Sequence, residues 1–133
     1  MAEEIDEIIG EFVVECREIL DELDTELVSL EQNPDPDLLA RIFRATHTIK
    51  GTSGFLGFTT LEKVTHVGEN LLTKLRDGEM EVRPDIVSAL LAMFDAVRDI
   101  IDRVERTGAE GDVAYPDLIA RLIALDQGEQ PAP

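Results

Sequence analysis

The chain is poor in several residue types. In 133 residues it has one cysteine, one tyrosine, five phenylalanines and no tryptophan. A single cysteine rules out an intrachain disulfide and any paired-thiol redox or metal site. Cys16 therefore reads as a small buried apolar residue. With so few aromatics, Leu, Ile, Val and Ala must fill the core, as they do in helical bundles. Basic residues are scarce too: 12 Lys and Arg stand against 29 Asp and Glu, a net charge of −17. That excess argues against docking on nucleic-acid phosphates or on anionic membrane surfaces. No apolar run approaches the ~20 residues needed to cross a bilayer. The opening MAEEIDEIIG is acidic and lacks the basic start of a signal peptide, so a cytoplasmic protein is expected. Two histidines with neither an HExxH spacing nor a cysteine pair make no metal site.

Helical periodicity is abundant. Hydrophobic residues are 44% of the chain, enough for one core in one domain. Ile5, Ile8, Phe12, Cys16, Ile19, Leu23, Leu27 and Leu30 recur at steps of three and four, predicting a helix over about 3–31. NPDPD at 33–37 ends it, and Asp35 with Pro36 opens a second helix from 36 to 54 or just beyond. Its inner stripe is Leu39, Ile42, Thr46, Ile49, Ser53 and Leu56. Thr59 and Glu62 have capping-box spacing for a third helix reaching Asp77, with Leu61, Val64, Val67, Gly68, Leu71 and Leu75 inside. RPD at 83–85 opens a fourth helix carrying Ile86, Leu90, Met93, Val97, Ile100 and Val104. YPD at 115–117 opens a short fifth with Leu118, Leu122 and Leu125. The expected fold is all-α: an antiparallel four-helix bundle with an additional short C-terminal helix, over residues 1–126. Residues 127–133 read as a linker-like tail. With the initiator Met, that tail suggests the N-terminal piece of a larger protein.

The chemistry concentrates in THTIKGTSGFLGF, residues 46–58. At about 100° per residue, His47 points about 130° away from the apolar stripe of its helix. It therefore faces outward, with Phe43, Arg44, Lys50, Gly51 and Gly54 on or near the same face. The two glycines remove side chains beside the imidazole, at a cost of about 1 kcal/mol each in helix propensity. In a hairpin turning near residue 57, positions 66–69 of the third helix come level with His47. Glu69 could then hydrogen-bond one ring nitrogen and leave the other free and nucleophilic. Arg41, Arg44 and Lys50 make a local cationic cluster suited to a phosphoryl group or to an acidic partner. Each feature also has an ordinary reading: a surface histidine, a solvated carboxylate, a glycine cap.

At these residues the sequence resembles a known family. FRATHTIKGTSGFLGF (43–58) is similar to the phosphoacceptor motif of histidine phosphotransfer (HPt) domains, in particular those at the N-terminus of CheA-type chemotaxis histidine kinases. THVGENLL (65–72) resembles that family's third-helix motif, in which His and Glu stand three apart. The resemblance implies that His47 accepts a phosphoryl group from ATP through a separate kinase domain and passes it to an aspartate of a CheY- or CheB-type response regulator. It implies that Lys50 supports the phosphoryl group, that Glu69 orients the ring and that His66 sits close by. Arg44, Phe43, Gly51 and Gly54 would form the docking face. The isolated domain would be a monomer without a cofactor of its own, since ATP belongs to the kinase domain.

Other readings compete less well. GTSGFLG lacks the spacing and the terminal Gly-Lys-Ser/Thr of a Walker A loop, so the domain reads as a kinase's substrate and not as the catalyst. A dimerising histidine-kinase domain usually carries an acidic residue directly after the histidine, where Thr48 stands here. A free-standing phosphorelay protein and a helical interaction module without chemistry remain as alternatives.

Overall fold

The computed structural model describes residues 2–128, and among them it has five α-helices and no strand. These are α1 (Ala2–Gln32), α2 (Pro36–Leu56), α3 (Thr59–Arg76), α4 (Pro84–Thr107) and α5 (Pro116–Asp126). α1 packs against α2 and α4, and α3 against α2 and α4, closing a four-helix ring; α5 lies against α3 and α4. This is the all-α arrangement expected from the periodicity. Of the expected tail, residues 129–133 lie outside the described residues. No helix among the described residues is long and apolar enough to cross a membrane.

The helix boundaries follow local chemistry. The Asp35 carboxylate accepts from the Asp37 N–H at 2.9 Å, and Pro36 occupies the first turn of α2. α2 ends on Gly57, whose φ of 81° is the left-handed conformation a side chain would disfavour. There the Gly57 N–H donates to the Gly54 carbonyl at 3.2 Å and the Phe58 N–H to the Ser53 carbonyl at 2.9 Å. This is a Schellman closure, and it sets the tight turn that brings α3 back along α2.

Three polar side chains lie inside the core. Thr46, Ser53 and Thr65 are fully buried, and their hydroxyls donate to the carbonyls of Ile42, Ile49 and Leu61 one turn back. Burial therefore leaves no donor unpaired there. Cys16 is 1% exposed, and burial, with the Glu15 charge beside it, pushes its thiol up to about 12. The thiol is a core filler, as expected.

Several expectations need correction. Ile5 and Ile8 are exposed, at 55% and 43%. α1 has 31 residues against 24 in α4, a difference of roughly 10 Å at 1.5 Å per residue, so its first turns overhang the bundle. Val13 and Leu20 are buried instead, because α1 faces two neighbours and needs a wider stripe. At the end of α2, Leu56 is only half-buried and Phe58 takes the inner position, stacked on Phe12 at 6.0 Å between centroids. In α5, Leu118 is half-buried and Ile119 is buried.

The Thr59–Glu62 capping box is not formed. α3 is capped from another loop: the Glu110 carboxylate accepts from the Thr60 N–H at 3.1 Å, the Leu61 N–H at 3.0 Å and the Thr59 hydroxyl at 3.3 Å. An anion at a helix N-terminus also complements the helix dipole. The Arg103 guanidinium donates to the Glu110 carbonyl at 2.8 Å and to the Tyr115 hydroxyl at 2.7 Å, tying the α4–α5 loop down. Glu110→Ala is expected to lower stability by about 1–2 kcal/mol. Urea unfolding would measure it, and an unchanged midpoint would show that water replaces the cap at no cost.

Candidate functional site

α2 and α3 run side by side from the Gly57 turn, so each step back along α2 meets a step forward along α3. That register places Gly54 near Glu62, Lys50 near His66 and Glu69, and His47 near Glu69.

The centre of the arrangement is Glu69. One carboxylate oxygen, Oε2, lies 2.6 Å from His47 Nδ1; the other, Oε1, accepts from Lys50 Nζ at 2.7 Å. Glu69 is 8% exposed, so it is not the solvated helix carboxylate it would be by itself. Burial pushes its pKa up, but the hydrogen bonds and charges of Lys50 and His47 outweigh that and hold it below the ordinary carboxylate range. An ionised carboxylate can only accept, so Nδ1 of His47 carries the hydrogen. Nε2 then holds the free lone pair of the neutral ring.

The His47 side chain remains 61% exposed, as the helical wheel predicts. An anchored ring with one bare nitrogen facing solvent is a nucleophile prepared for a partner. Lys50 is 21% exposed, held by Glu69 one turn from the imidazole. His66 is exposed and takes no hydrogen bond in the Glu69 network; it lines a shallow depression with Lys50, Glu62 and Lys63. Arg44 is exposed on the same helix.

One sequence expectation holds and two change. Gly51 is bare: a Cβ built there would meet nothing within 4 Å. Gly54 is not, because a Cβ there would come within 2.0 Å of Glu62 Oε2. The Glu62 carboxylate lies over Gly54, so this glycine makes room for a side chain of the domain itself. Phe43 is not bare either. It is half-buried, its ring is 6.0 Å from the His47 ring with 11° between planes, and the Arg76 guanidinium carbon lies 4.3 Å from its centroid. Sequence reasoning missed Arg76 and Glu62 as neighbours of the site. The hairpin register that found Glu69 also sets Glu62 opposite Gly54, whereas the reach of Arg76 to Phe43 depends on its rotamer.

Comparison with known proteins gives the chain's relatives. The chain is 40% identical over 109 residues, 81% of its length, to the sensor histidine kinase CheAY of Helicobacter pylori, and covers 14% of that protein. It is 34% identical over its whole length to the chemotaxis protein CheA of Salmonella typhimurium, of which it covers 20%. The chain thus spans a fifth or less of these curated relatives. Among solved structures, the phosphorylated P1 domain of CheA3 in complex with CheY6 from R. sphaeroides superposes with a TM-score of 0.83 at 27% identity, covering 94% of this chain and 99% of that one. The solution structure of a histidine phosphotransfer domain of CheA gives 0.81 at 32% identity, covering 92% and 91%. The family model for the Hpt domain matches residues 7–100, taking in all of α2 and α3 and hence the whole His47–Glu69–Lys50 cluster. The chain belongs to the Hpt domain family.

Proposed function

We infer that this chain is the phosphoacceptor module of a CheA-type chemotaxis histidine kinase, with His47 as the residue that carries the phosphoryl group. The observation behind this reading is the exposed imidazole whose Nδ1 is held by a buried carboxylate at 2.6 Å. ATP is held by a separate kinase domain, and the exchange takes place in the cytoplasm.

Nε2 attacks the γ-phosphorus of ATP. The P–N bond forms as the bond to the bridging oxygen breaks, and ADP leaves with the electron pair. The ring becomes cationic, and the Glu69 carboxylate at Nδ1–H stabilises that charge. Lys50 lies beside the incoming phosphoryl oxygens. In the return half, a carboxylate oxygen of a receiver aspartate attacks the phosphorus. The P–N electrons go back to Nε2 and the neutral ring is restored. A regulator of CheY type is supported by the CheY6 complex among the structural neighbours; one of CheB type would present the same carboxylate.

The test is to incubate the domain with a CheA-type kinase domain and γ-labelled ATP, then add a CheY-type regulator. Label should appear on the domain and move to the regulator. A domain that binds both partners and never takes label would be a helical interaction module instead.

Gly51 is the bare position of this face, which gives a further expectation. Gly51→Ala should leave the melting temperature unchanged or raise it, since alanine favours helix by up to about 1 kcal/mol. A bulky residue at 51 should keep the fold while slowing transfer to the regulator. Undiminished transfer in the bulky variant would show that the regulator approaches from another side. At position 54 any side chain must first displace Glu62.

A further inference from the structure

We propose that Arg76 is a positioning residue for His47, acting through the Phe43 ring; the proposal rests on the phosphoacceptor reading of His47 and identifies what holds the imidazole on its second side. Glu69 fixes one nitrogen of the ring, and a single hydrogen bond still allows the ring to rock about it. Phe43, one turn earlier on α2, lies nearly parallel to the imidazole, with 11° between planes and 6.0 Å between centroids. Phe43 is half-buried against the core on its inner side. Its ring is covered by the Arg76 guanidinium at 4.3 Å, a cation–π distance.

Arg76 is the last residue of α3, at the opposite end of that helix from the Gly57 turn. Phe43 therefore meets the Arg76 guanidinium from α3 and lies beside the imidazole on its own helix. Glu69 restrains the ring at one nitrogen, and Phe43, itself held by Arg76, borders it on a second side. Together they leave Nε2 directed outward.

Arg76 is poorly placed to serve as a free cation for a phosphoryl group. Its Nε donates to the Asp77 carboxylate at 3.2 Å, so part of its hydrogen-bonding capacity is already engaged. Its guanidinium carbon lies over the Phe43 ring. What it transmits to the imidazole is position.

The test uses the whole chain and two readouts. The first is the proton NMR spectrum of the His47 ring in the unphosphorylated domain, where the Phe43 ring current is felt. The second is the rate of label uptake from the kinase domain. Arg76→Ala should shift the His47 ring protons and slow uptake roughly two- to five-fold, the size of one cation–π contact. Arg76→Lys, which retains a cation over the ring, should recover part of both. Phe43→Leu should reproduce the loss, and the Phe43→Leu, Arg76→Ala double variant should be no worse than Phe43→Leu alone, because the two act in series.

Unmoved ring protons in Arg76→Ala would overturn the proposal. So would additive rate losses in the double variant, which would make Arg76 a direct electrostatic contributor. The NMR arm needs no phosphotransfer, so a wild-type domain that never takes label would defeat the phosphoacceptor reading while the ring shifts still judged the contact.

Discussion

His47→Gln is expected to abolish phosphoryl uptake while leaving the bundle folded. The side chain is 61% exposed, outside the apolar core, and its ring meets Phe43 and Glu69, so the core packing is untouched by the change. Glutamine keeps a polar group able to meet Glu69 but offers no lone pair at the Nε2 position, since an amide nitrogen is not a nucleophile at neutral pH. The expected loss is complete within detection, with a melting temperature within a few degrees of the wild type. The label on the wild-type domain should be lost in acid and retained in alkali, as a P–N bond behaves, whereas a serine ester would show the reverse. Normal labelling of His47→Gln would remove His47 from the chemistry. Loss confined to His66→Gln would transfer the role to the other histidine, which lines the depression beside Lys50.

The parts of this site legible in the sequence are those set by helix geometry. Period and breakers placed α2 and α3, the wheel turned His47 outward, and the Gly57 turn fixed the register that brings Glu69 level with it. Each of these depends on rise and angle per residue, which hardly vary between proteins. What was not legible depends on where flexible side chains go once the backbones have met. Gly54 looked like a clearing because a helical wheel carries no information about the neighbouring helix, whose Glu62 fills the space. The Arg76–Phe43 contact was not legible because Arg76 lies 33 positions away and its reach depends on rotamers. The failed capping box shows the same limit. Thr59 and Glu62 have the right spacing, but Glu110 from the α4–α5 loop satisfies the amides of Thr60 and Leu61 first. A cap supplied from 49 residues away leaves no local sequence signal.

Glu69→Gln should slow uptake by roughly ten- to hundred-fold while preserving side-chain shape. The carboxylate accepts from two donors at once, His47 Nδ1–H and Lys50 Nζ. A glutamine amide places its oxygen at one of these two positions and an NH2 at the other. If the oxygen turns to Lys50, the amide NH2 faces Nδ1 and favours the other tautomer, placing the hydrogen on Nε2 where the phosphoryl group must go. If it turns to His47, Lys50 loses its partner and the ring loses the negative charge that stabilises its cationic phosphorylated form. Nitrogen NMR of the imidazole separates the two, and unchanged tautomer and rate would reduce Glu69 to a structural carboxylate. Stability gives an independent check with a definite sign. The folded-state pKa of Glu69 is lowered, because the hydrogen bonds and charges of Lys50 and His47 outweigh burial. Its contribution is therefore fully present above the unfolded carboxyl value of about 4.3 and is lost as pH falls through the lower folded value. Wild type should be more stable than Glu69→Gln above that range, and the margin should close as pH falls through the lowered Glu69 value. A margin that closed well above the ordinary carboxylate range would mean that burial dominates and that Glu69 is protonated too readily to hold the His47 tautomer.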